Sequence, residues 1–597
     1  MKNIFRKIKN VLWLIKPYLK YGPLLLVINI LYKAVCWPLI HYLEVYIPQF
    51  TMNALTQNKG ILYVLLIILI FCGLNFLLKC FENYVFDRYD AVNNTKVKMQ
   101  IQKEIYEKTH FMDYKYMDDP EFYDEYSWVM NNYADKSNEA RDIINSILRG
   151  VVAITLFSSL IATISPWVVL VVAAYAVIRT VFNFFYNKIE VAKEEALVPY
   201  DRKLGYIHRL HYIKEYGADM RTTNLYSKAS QIYDSNSHQK LGLLDKFSKK
   251  AFGLLTWQSL VYNLSRAVIL FCIASAYMDG SLANIGMFAT MWMAADKLDD
   301  YLYDIFDISK SVDLLGSYSE RIRKFFTLKS DIEIENTEII SPEKNEPFSL
   351  EFRNVSFRYR TEDSYVLKDL NFTVNKGEKV ALVGENGVGK STIVKLILRL
   401  YDVSEGAIFI NGRDIREYDI RALRSCIGVA FQDTNMYAMS FRDNMELFHS
   451  ADDDRCSEII SALKLDRILE KNNASLDDEI TREFRKDGIM LSGGEAQKIG
   501  LSRVMTAQNG LVLLDEPSSA LDPIAEYEMN ETLLNQCAKS TTIMIAHRLS
   551  SVRDLDRILV ISGGSVLEEG NHSELMAVQG TYYDMFTKQA SKYVETK

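Results

Sequence analysis

The first half of the chain alternates long apolar runs with charged stretches. Six runs are long enough to cross about 30 Å of hydrocarbon at 1.5 Å per residue. They lie at Pro23–Phe50, Ile61–Phe86, Ile147–Ser165, Pro166–Tyr186, Ala251–Met278 and Leu282–Ile308. The stretches at 87–146 and 187–250 are long and charged, whereas the other connections are short. This pattern predicts six transmembrane helices with two long extensions on one side of a membrane.

Positive charge before the first run indicates the orientation. Six basic residues precede it: Lys2, Arg6, Lys7, Lys9, Lys16 and Lys20. Because loops rich in Lys and Arg stay in the cytosol, we expect this end of the chain on the cytosolic side of a plasma membrane. Six crossings then return the chain to the cytosol, with both charged extensions on that side.

Several ionisable residues interrupt the apolar runs. They are Lys33, His41, Glu44, Arg179, Arg266, Asp296, Lys297, Asp299 and Asp300. A charge facing lipid is costly, so we expect these groups to face the helix bundle, a wet cavity or one another. Two interpretations stay open. Arg266 pairs with an acid of the sixth segment, or Lys33, Arg266, Asp296, Asp299 and Asp300 line a substrate cavity.

The second half of the chain has a different pattern of apolar and polar residues. From about Ser349, short β-rich runs such as KVALVG, LVLLD and TTIMIAH alternate with helical patterns. That alternation is typical of an α/β nucleotide-binding domain. The polar segment Asn336–Pro347 contains two prolines and is predicted to be a linker. We therefore predict a helical membrane domain over 1–335, a linker over 336–347 and a P-loop domain over 348–597.

Composition excludes several other classes. The 597 residues are 49% apolar and 24% charged, which excludes a disordered chain. The net charge of −7 argues against a nucleic-acid partner, because such proteins present a dominant basic face. The seven cysteines are scattered and odd in number, so they indicate packing in a reducing compartment rather than a disulfide framework or zinc site.

A glycine-rich loop carries the clearest chemistry. Gly384, Gly389, Lys390 and Ser391 follow the pattern G-x-x-x-x-G-K-[ST] between a predicted strand and a predicted helix. Such a loop aims backbone N–H groups at phosphates, its lysine bridges the β- and γ-phosphates, and its hydroxyl binds Mg²⁺. We predict that ATP contacts the whole loop: Gly384, Glu385, Asn386, Gly387, Val388, Gly389, Lys390, Ser391 and Thr392.

Two acids follow a later apolar strand, LVLLDEP. Asp515 is placed to hold Mg²⁺, and Glu516 is placed to polarise the attacking water. Four apolar residues and two acids are weak evidence alone. Combined with the phosphate loop, they indicate an ATP hydrolase with Glu516 as a catalytic residue.

A second glycine turn leads into a helix at LSGGEAQKIGLSR, residues 491–503. This element resembles the signature of the ATP-binding cassette (ABC) transporters, and six membrane helices followed by one cassette resemble an exporter half-transporter. The resemblance implies that Ser492, Gly493, Gly494 and Glu495 contact the ATP held by a second subunit. It also implies that Tyr359 stacks on adenine, that Gln432 reaches Mg²⁺ and that His547 contacts the γ-phosphate. Ser519, Ala520, Leu521 and Asp522 resemble the loop that crosses the cassette dimer.

The chain departs from the family pattern at two places. Glu495 stands where glutamine is commonest in the signature, and TREFRKDGIM, with Arg485 and Lys486, replaces the usual glycine-flanked glutamate loop. Because backbone N–H groups do most of the binding at the signature, we still expect it to bind ATP.

One complete set of motifs predicts a homodimer with two composite ATP sites. Helical parts near Tyr114–Phe122 and His211–Leu225 are expected to transmit cassette closure to the membrane helices. The charged extensions resemble those of bacterial lantibiotic-type peptide exporters, and the short stretch before the first crossing leaves no room for a peptidase domain. The sequence thus favours ATP-driven export of a peptide, and the acids Asp296, Asp299, Asp300 and Asp304 would suit a cationic one. Export of a lipid or drug, an ATP-gated channel and a sensor remain alternatives.

Overall fold

The chain forms two compact units in a computed structural model. The structure describes residues 9–594 except 58, 164, 281, 283, 333–339, 344–345, 361–363, 449, 507–508, 518–522 and 547. The helical unit comprises Met1–Thr109 and Asp124–Leu328. The sheet unit comprises Lys329–Lys597 together with His110–Tyr123, a segment from within the first half of the chain.

The described residues of the first half of the chain form helices joined by turns, with no strand. Its α-helices are α1 Lys16–Tyr21, α2 Pro23–Asn29, α3 Trp37–Glu44, α4 Ile47–Thr56, α5 Ile61–Asn83, α6 Ala91–His110, α7 Pro120–Ala162, α8 Pro166–Tyr212, α9 Asp219–Thr222, α10 Leu225–Met278 and α11 Ile285–Thr327. Helix α7 ends and α8 begins around the predicted Ser165-Pro166 break. The helices extend beyond the predicted membrane-crossing segments, because most of them continue through the charged extensions.

Five of these helical stretches are long and apolar enough to span a membrane. They are Pro23–Thr56, Ile61–His110, Glu125–Ala162, Pro166–Tyr212 and Leu225–Met278. The sixth predicted segment lies in α11, which is 43 residues long. Charged residues enter its apolar stretch at Asp296, so length rather than composition supports a crossing there.

Two π-helical turns interrupt the first two crossings. Ile30–Cys36 joins α2 to α3, and Tyr84–Asp90 joins α5 to α6. The first turn immediately precedes Trp37 and Pro38. Because proline has no N–H and its ring clashes with the carbonyl four residues earlier, a wider turn before it lets the helix continue.

Two sheets organise the sheet unit. The strands are β1 Leu350–Phe357, β2 Leu367–Val374, β3 Lys379–Val383, β4 Glu405–Ile410, β5 Arg413–Asp414, β6 Ile427–Ala430, β7 Leu511–Asp515, β8 Thr541–Ile545, β9 Arg557–Ser562 and β10 Ser565–Gly570. An antiparallel sheet has the order β2-β1-β4-β5, and a six-stranded sheet has the order β10-β9-β3-β8-β7-β6. All pairings in the larger sheet are parallel except β9 with β10.

Helices flank the larger sheet, whose central strands are buried. They are α12 Lys390–Ile397, α13 Ile420–Arg424, α14 Phe441–Met445, α15 Asp453–Ala462, α16 Asp466–Asn472, α17 Gly493–Met505, α18 Pro523–Gln536, α19 His572–Val578 and α20 Thr581–Val594. Strands β7 and β8 are buried at every position, as expected for parallel strands covered on both faces. In such sheets ligands bind beyond the carboxyl ends of the strands, where the phosphate loop and Glu516 lie.

Candidate nucleotide-binding site

The phosphate loop joins β3 to α12 and depends on its glycines. Gly389 has φ +98°, and a Cβ there would lie 2.7 Å from Leu367 Cδ2. At Gly384 a Cβ would lie 2.3 Å from the carbonyl oxygen of Ile561. Only glycine therefore fits these positions without displacing neighbours. Lys390 spans the loop and donates 2.8 Å hydrogen bonds to the carbonyls of Gly384 and Glu385.

A cavity of about 440 Å³ brings most of the predicted ATP-binding residues together. Its lining is Tyr359, Val366, Asn386, Gly387, Gly389, Lys390, Ser391, Thr392, Gln432 and Glu516. Gly384, Glu385 and Val388 belong to the same loop but do not line the cavity, and Val366 is a lining residue that no sequence motif indicates. The phosphate loop, Gln432 and Glu516 thus share one cavity although they are distant in sequence.

The two predicted acidic residues lie at the carboxyl end of β7. Asp515 is the last strand residue and is buried. Glu516 follows with φ +50°, and its N–H donates to the Ile545 carbonyl on the neighbouring strand at 3.1 Å. A non-glycine residue with positive φ is held there by its surroundings, and such strain is concentrated at functional sites.

Two opposing effects act on the pKa of the loop lysine, Lys390. Burial lowers the pKa of Lys390, while the charges of Glu516 and Asp515 act in the opposite direction. These acids therefore help to keep the ammonium charged in a desolvated place. The charged form is the one that binds phosphate oxygens.

Tyr359 lies at the edge of the cavity within a cluster of aromatic rings. Its hydroxyl shares a 3.0 Å hydrogen bond with Thr392 of the phosphate loop, and 39% of the residue is exposed. Its ring centroid lies 5.0 Å from that of Phe357 and 5.3 Å from that of Tyr401. The exposed fraction leaves ring surface on which a base can stack.

The aromatic cluster continues into the segment His110–Tyr123. The Tyr114 ring lies 5.8 Å from Tyr401, and the Tyr401 hydroxyl donates a hydrogen bond to Asp118. Lys395 of α12 lies 3.5 Å from the Asp118 carboxylate. The sequence predicted a role for Tyr114–Phe122, which contains Asp118, but not its contact with Tyr401, because no short motif indicates a contact between residues so far apart along the chain.

The signature turn begins α17 with a reciprocal cap. Ser492 donates to the Glu495 carboxylate through its N–H at 2.7 Å and through its hydroxyl at 2.8 Å. Lys471 contacts the same carboxylate at 3.1 Å. Burial raises the pKa of Glu495, but the hydrogen bonds from Ser492 and Lys471 lower it by more, so the pKa is lowered overall. Its position is that of the capping-box glutamate, a pattern that the sequence S-G-G-E already contains.

Two predicted site elements fall outside the residues that the structure describes. His547 lies two residues beyond the end of β8 in the chain, and 518–522 contains Ser519, Ala520, Leu521 and Asp522. Their roles remain predictions. Gly493 and Gly494 form the first turn of α17, and the described lining of the ATP cavity includes none of the signature residues.

The charged residues of the membrane segments are mostly paired. Arg266 forms an ion pair with Asp296 and lies 3.9 Å from Asp299. Arg179 lies 3.4 Å from Asp299, and Lys33 lies 3.0 Å from Asp142. This geometry favours structural pairing over substrate contact for Arg266, Asp296 and Asp299. No ion pair of Asp300 occurs among the described residues.

An unpaired carboxylate lies elsewhere in the helical unit. A cavity of about 510 Å³ between α3 and α5 is lined by Trp37, Ile40, His41, Glu44, Cys72, Asn75, Phe76, Leu78, Lys79 and Glu82. Lys79 pairs with Glu82 at 2.8 Å. Within the part of the chain that the structure describes, Glu44 has no hydrogen bond or ion pair. The cavity therefore carries one uncompensated carboxylate beside aromatic rings.

The family model described as ABC transporter matches residues 367–519. This range contains the phosphate loop, the signature turn, Asp515 and Glu516. The match agrees with the geometry of the site and identifies the sheet unit as an ATP-binding cassette.

Curated relatives cover different parts of the chain. The subtilin transport ATP-binding protein SpaT of Bacillus subtilis is 27% identical over 97% of this chain and 95% of its own length. A putative multidrug export ATP-binding/permease protein of Bacillus subtilis is 40% identical over 40% of this chain and 41% of its own length. The mitochondrial iron-sulfur clusters transporter of Saccharomyces cerevisiae is 36% identical over 47% of this chain and 41% of its own length.

A solved structure shares the fold over nearly the whole chain. The structure of a bacterial Atm1-family ABC exporter with ATP bound matches with a TM-score of 0.70 at 22% identity, covering 94% of this chain and 98% of that one. The predicted fold class is confirmed: a helical membrane domain precedes a P-loop cassette. The chain as a whole thus has the fold of an ABC exporter half-transporter, and its matches support a cassette that binds and hydrolyses ATP to drive export.

Proposed function

We propose that the protein is a homodimer that exports a cationic peptide from the bacterial cytosol across the plasma membrane, with both termini in the cytosol. The observation that supports ATP-driven export is the cavity in which Lys390, Ser391 and Glu516 come together. The peptide substrate is supported by the similarity to the subtilin transporter, which extends through both units of the chain. The shorter multidrug-exporter match keeps lipid or drug export as the second candidate.

The ATP site would work through named groups. The loop N–H groups and Lys390 bind the phosphates, and the Tyr359 ring stacks on adenine. Ser391, Gln432 and Asp515 supply only oxygen ligands, which suit Mg²⁺. The ion would neutralise charge on the phosphates when bound. Glu516 and His547 would orient the attacking water and the γ-phosphate.

Dimerisation follows from the division of the site. Each chain has one phosphate loop and one signature turn, and the described lining of the loop's cavity contains no signature residue. Two copies related by a two-fold axis would give each cavity the missing α17 N-terminus, with Ser519 and Asp522 at the interface. Closure of the two cassettes would then depend on ATP.

The carboxylate at Glu44 supports a cationic substrate better than the acids predicted from sequence. Asp296 and Asp299 are already offset by Arg266 and Arg179. Glu44 is uncompensated within the described chain and lies in a cavity with Trp37 and Phe76. Carboxylate and aromatic faces together attract organic cations.

Glu516→Gln tests the proposed hydrolytic role. The amide keeps the shape of the side chain but polarises water poorly, so nucleotide binding should persist while turnover falls by 10²-fold or more. The protein in nanodiscs is assayed for phosphate release and for binding of a fluorescent ATP analogue. The matched control is Glu446→Gln, an acid of the same unit that does not line the ATP cavity. Near-normal turnover in Glu516→Gln would exclude the assignment.

Transport itself separates export from the alternative mechanisms. Inside-out vesicles should accumulate a labelled cationic peptide with ATP and not with Glu516→Gln protein. Accumulation of dyes or lipids in preference to peptides would favour the second candidate. A single-channel current with ATP would instead indicate an ATP-gated channel, and signalling without flux would indicate a sensor.

A further inference from the structure

A groove between α8 and α10 contains none of the paired charges described above. Its volume is about 600 Å³, and its lining is Phe185, Lys188, Ile189, Ala192, Phe247, Lys250, Leu254 and Trp257. We call these eight residues the interfacial groove. Six are apolar or aromatic, two are lysines, and none is acidic.

The two lysines of the interfacial groove are uncompensated. Neither Lys188 nor Lys250 forms an ion pair or hydrogen bond with any residue that the structure describes. Neighbouring lysines on the same helices are paired, Lys193 with Glu190 and Lys249 with Asp245. The groove therefore carries two positive charges that are not neutralised, although the neighbouring lysines Lys193 and Lys249 are.

The groove lies at the depth of a membrane surface. Counted at 1.5 Å per residue from the short connections, Phe185 lies about 28 Å along α8 and Trp257 about 32 Å along α10. Lys188 and Lys250 lie farther along, at about 33 and 42 Å. Because the hydrocarbon core is about 30 Å thick, the aromatic end adjoins the acyl chains and the lysines lie among headgroups.

We propose that the interfacial groove binds an anionic phospholipid by its headgroup. The phosphate would lie between the two ammonium groups, and the acyl chains would run along Phe185, Leu254 and Trp257. Basic grooves between transmembrane helices attract anionic headgroups in this way, and aromatic rings favour the same depth. A zwitterionic lipid offers its phosphate together with a cation, which two lysines disfavour.

The test measures lipid binding to the purified full-length protein without nucleotide, so its result is independent of the proposed export. Phosphatidylglycerol and phosphatidylcholine with the same acyl chains are titrated and the bound lipid is counted by native mass spectrometry. The wild type should prefer phosphatidylglycerol. Lys188→Gln/Lys250→Gln should weaken its binding roughly tenfold or more without changing phosphatidylcholine binding.

The matched control is Lys203→Gln/Lys228→Gln, which removes exposed lysines of the same two helices outside the groove. Equal loss in both double variants, or no lipid preference in the wild type, would overturn the proposal. Displacement of phosphatidylglycerol by millimolar inorganic phosphate would show that a free anion is the ligand instead. A changed oligomeric state with unchanged lipid binding would assign the groove to contact between copies.

Discussion

Glu495 has a structural role in capping a helix, and its charge is expected to oppose nucleotide-driven closure. Its carboxylate caps α17 through Ser492, which is worth about 1 kcal/mol in typical helices. The same negative charge stands where the proposed γ-phosphate of a second subunit would approach. Lys471, 3.1 Å away, offsets part of it.

Glu495→Gln should therefore strengthen nucleotide-driven closure. Glutamine keeps the capping geometry but removes the charge, so the ATP concentration for half-maximal hydrolysis should fall several-fold. Lys471→Gln should raise the ATP concentration for half-maximal hydrolysis, because it leaves the negative charge of Glu495 uncompensated. Both are measured by ATPase titrations at low salt, where surface electrostatics are strongest. The same direction of change in both variants would contradict this account.

Glu44→Gln isolates the uncompensated carboxylate of the helical unit. Loss of a charge-assisted contact should weaken binding of a fluorescent lysine-containing hydrophobic peptide about tenfold. A peptide with glutamine in place of the lysine should bind the variant and the wild type equally. Glu139→Gln, an exposed acid paired with Lys136, serves as the control. An equal effect on both peptides would mean that Glu44 has no role in recognising charge.

At the scale of elements, the sequence predicts the chemistry better than the contacts. The phosphate loop, β7 and α17 could be predicted because local patterns specify them: glycines at positive φ, an apolar strand and a capping box. The π-helical turns could not be predicted, since Pro38 signals only that the first helix is disturbed and no proline marks Tyr84–Asp90. The Asp118–Tyr401 contact joins residues on separate elements, which no local pattern encodes.

The segment His110–Tyr123 should carry information about the nucleotide. Asp118 contacts Tyr401 and Lys395, and Tyr401 packs against Tyr359. Asp118→Asn and Tyr401→Phe should each lower substrate-stimulated ATPase activity several-fold while ATP binding is kept. Because the two residues form one contact, the double variant should lose no more than either single variant.

Asp119→Asn is the neighbouring control, since Asp119 lies 3.8 Å from exposed Arg360 rather than at the aromatic cluster. Equal losses in the Asp118 and Asp119 variants, or additive losses in the double variant, would show that the segment does not act through Tyr401. Measurements in nanodiscs with and without peptide separate stimulation from basal turnover.

For the whole molecule, the order of domains could be predicted from the change of sequence pattern near Ser349. Five of the six apolar runs lie in helices that are long and apolar enough to span a membrane. Their true lengths could not be predicted, because charged residues continue each helix beyond the apolar run. The pairing of Arg266 with Asp296 was one of two open interpretations, since charge in a sequence does not show what neutralises it. Substrate identity depends on such neutralisation and is correspondingly hard to predict.

A homodimer with composite sites predicts an ATP-dependent cross-link. Asn386→Cys and Ser492→Cys, both exposed positions, are combined in Glu516→Gln protein. A short bismaleimide should join two chains with ATP and Mg²⁺ and much less without them. Each single-cysteine variant controls for the natural cysteines Cys72 and Cys80, which are exposed. No ATP-dependent product would argue against paired cassettes.

The inclusion of residues 110–123 in the sheet unit has a practical consequence for anyone who isolates the cassette. Asp113 accepts hydrogen bonds from the backbone of Asp331 and Ile332, each at 3.0 Å. A recombinant fragment beginning at residue 329 would lose this anchor and leave Tyr401 facing water. Such a fragment should be soluble only poorly, and adding a synthetic peptide of residues 110–123 should raise its melting temperature.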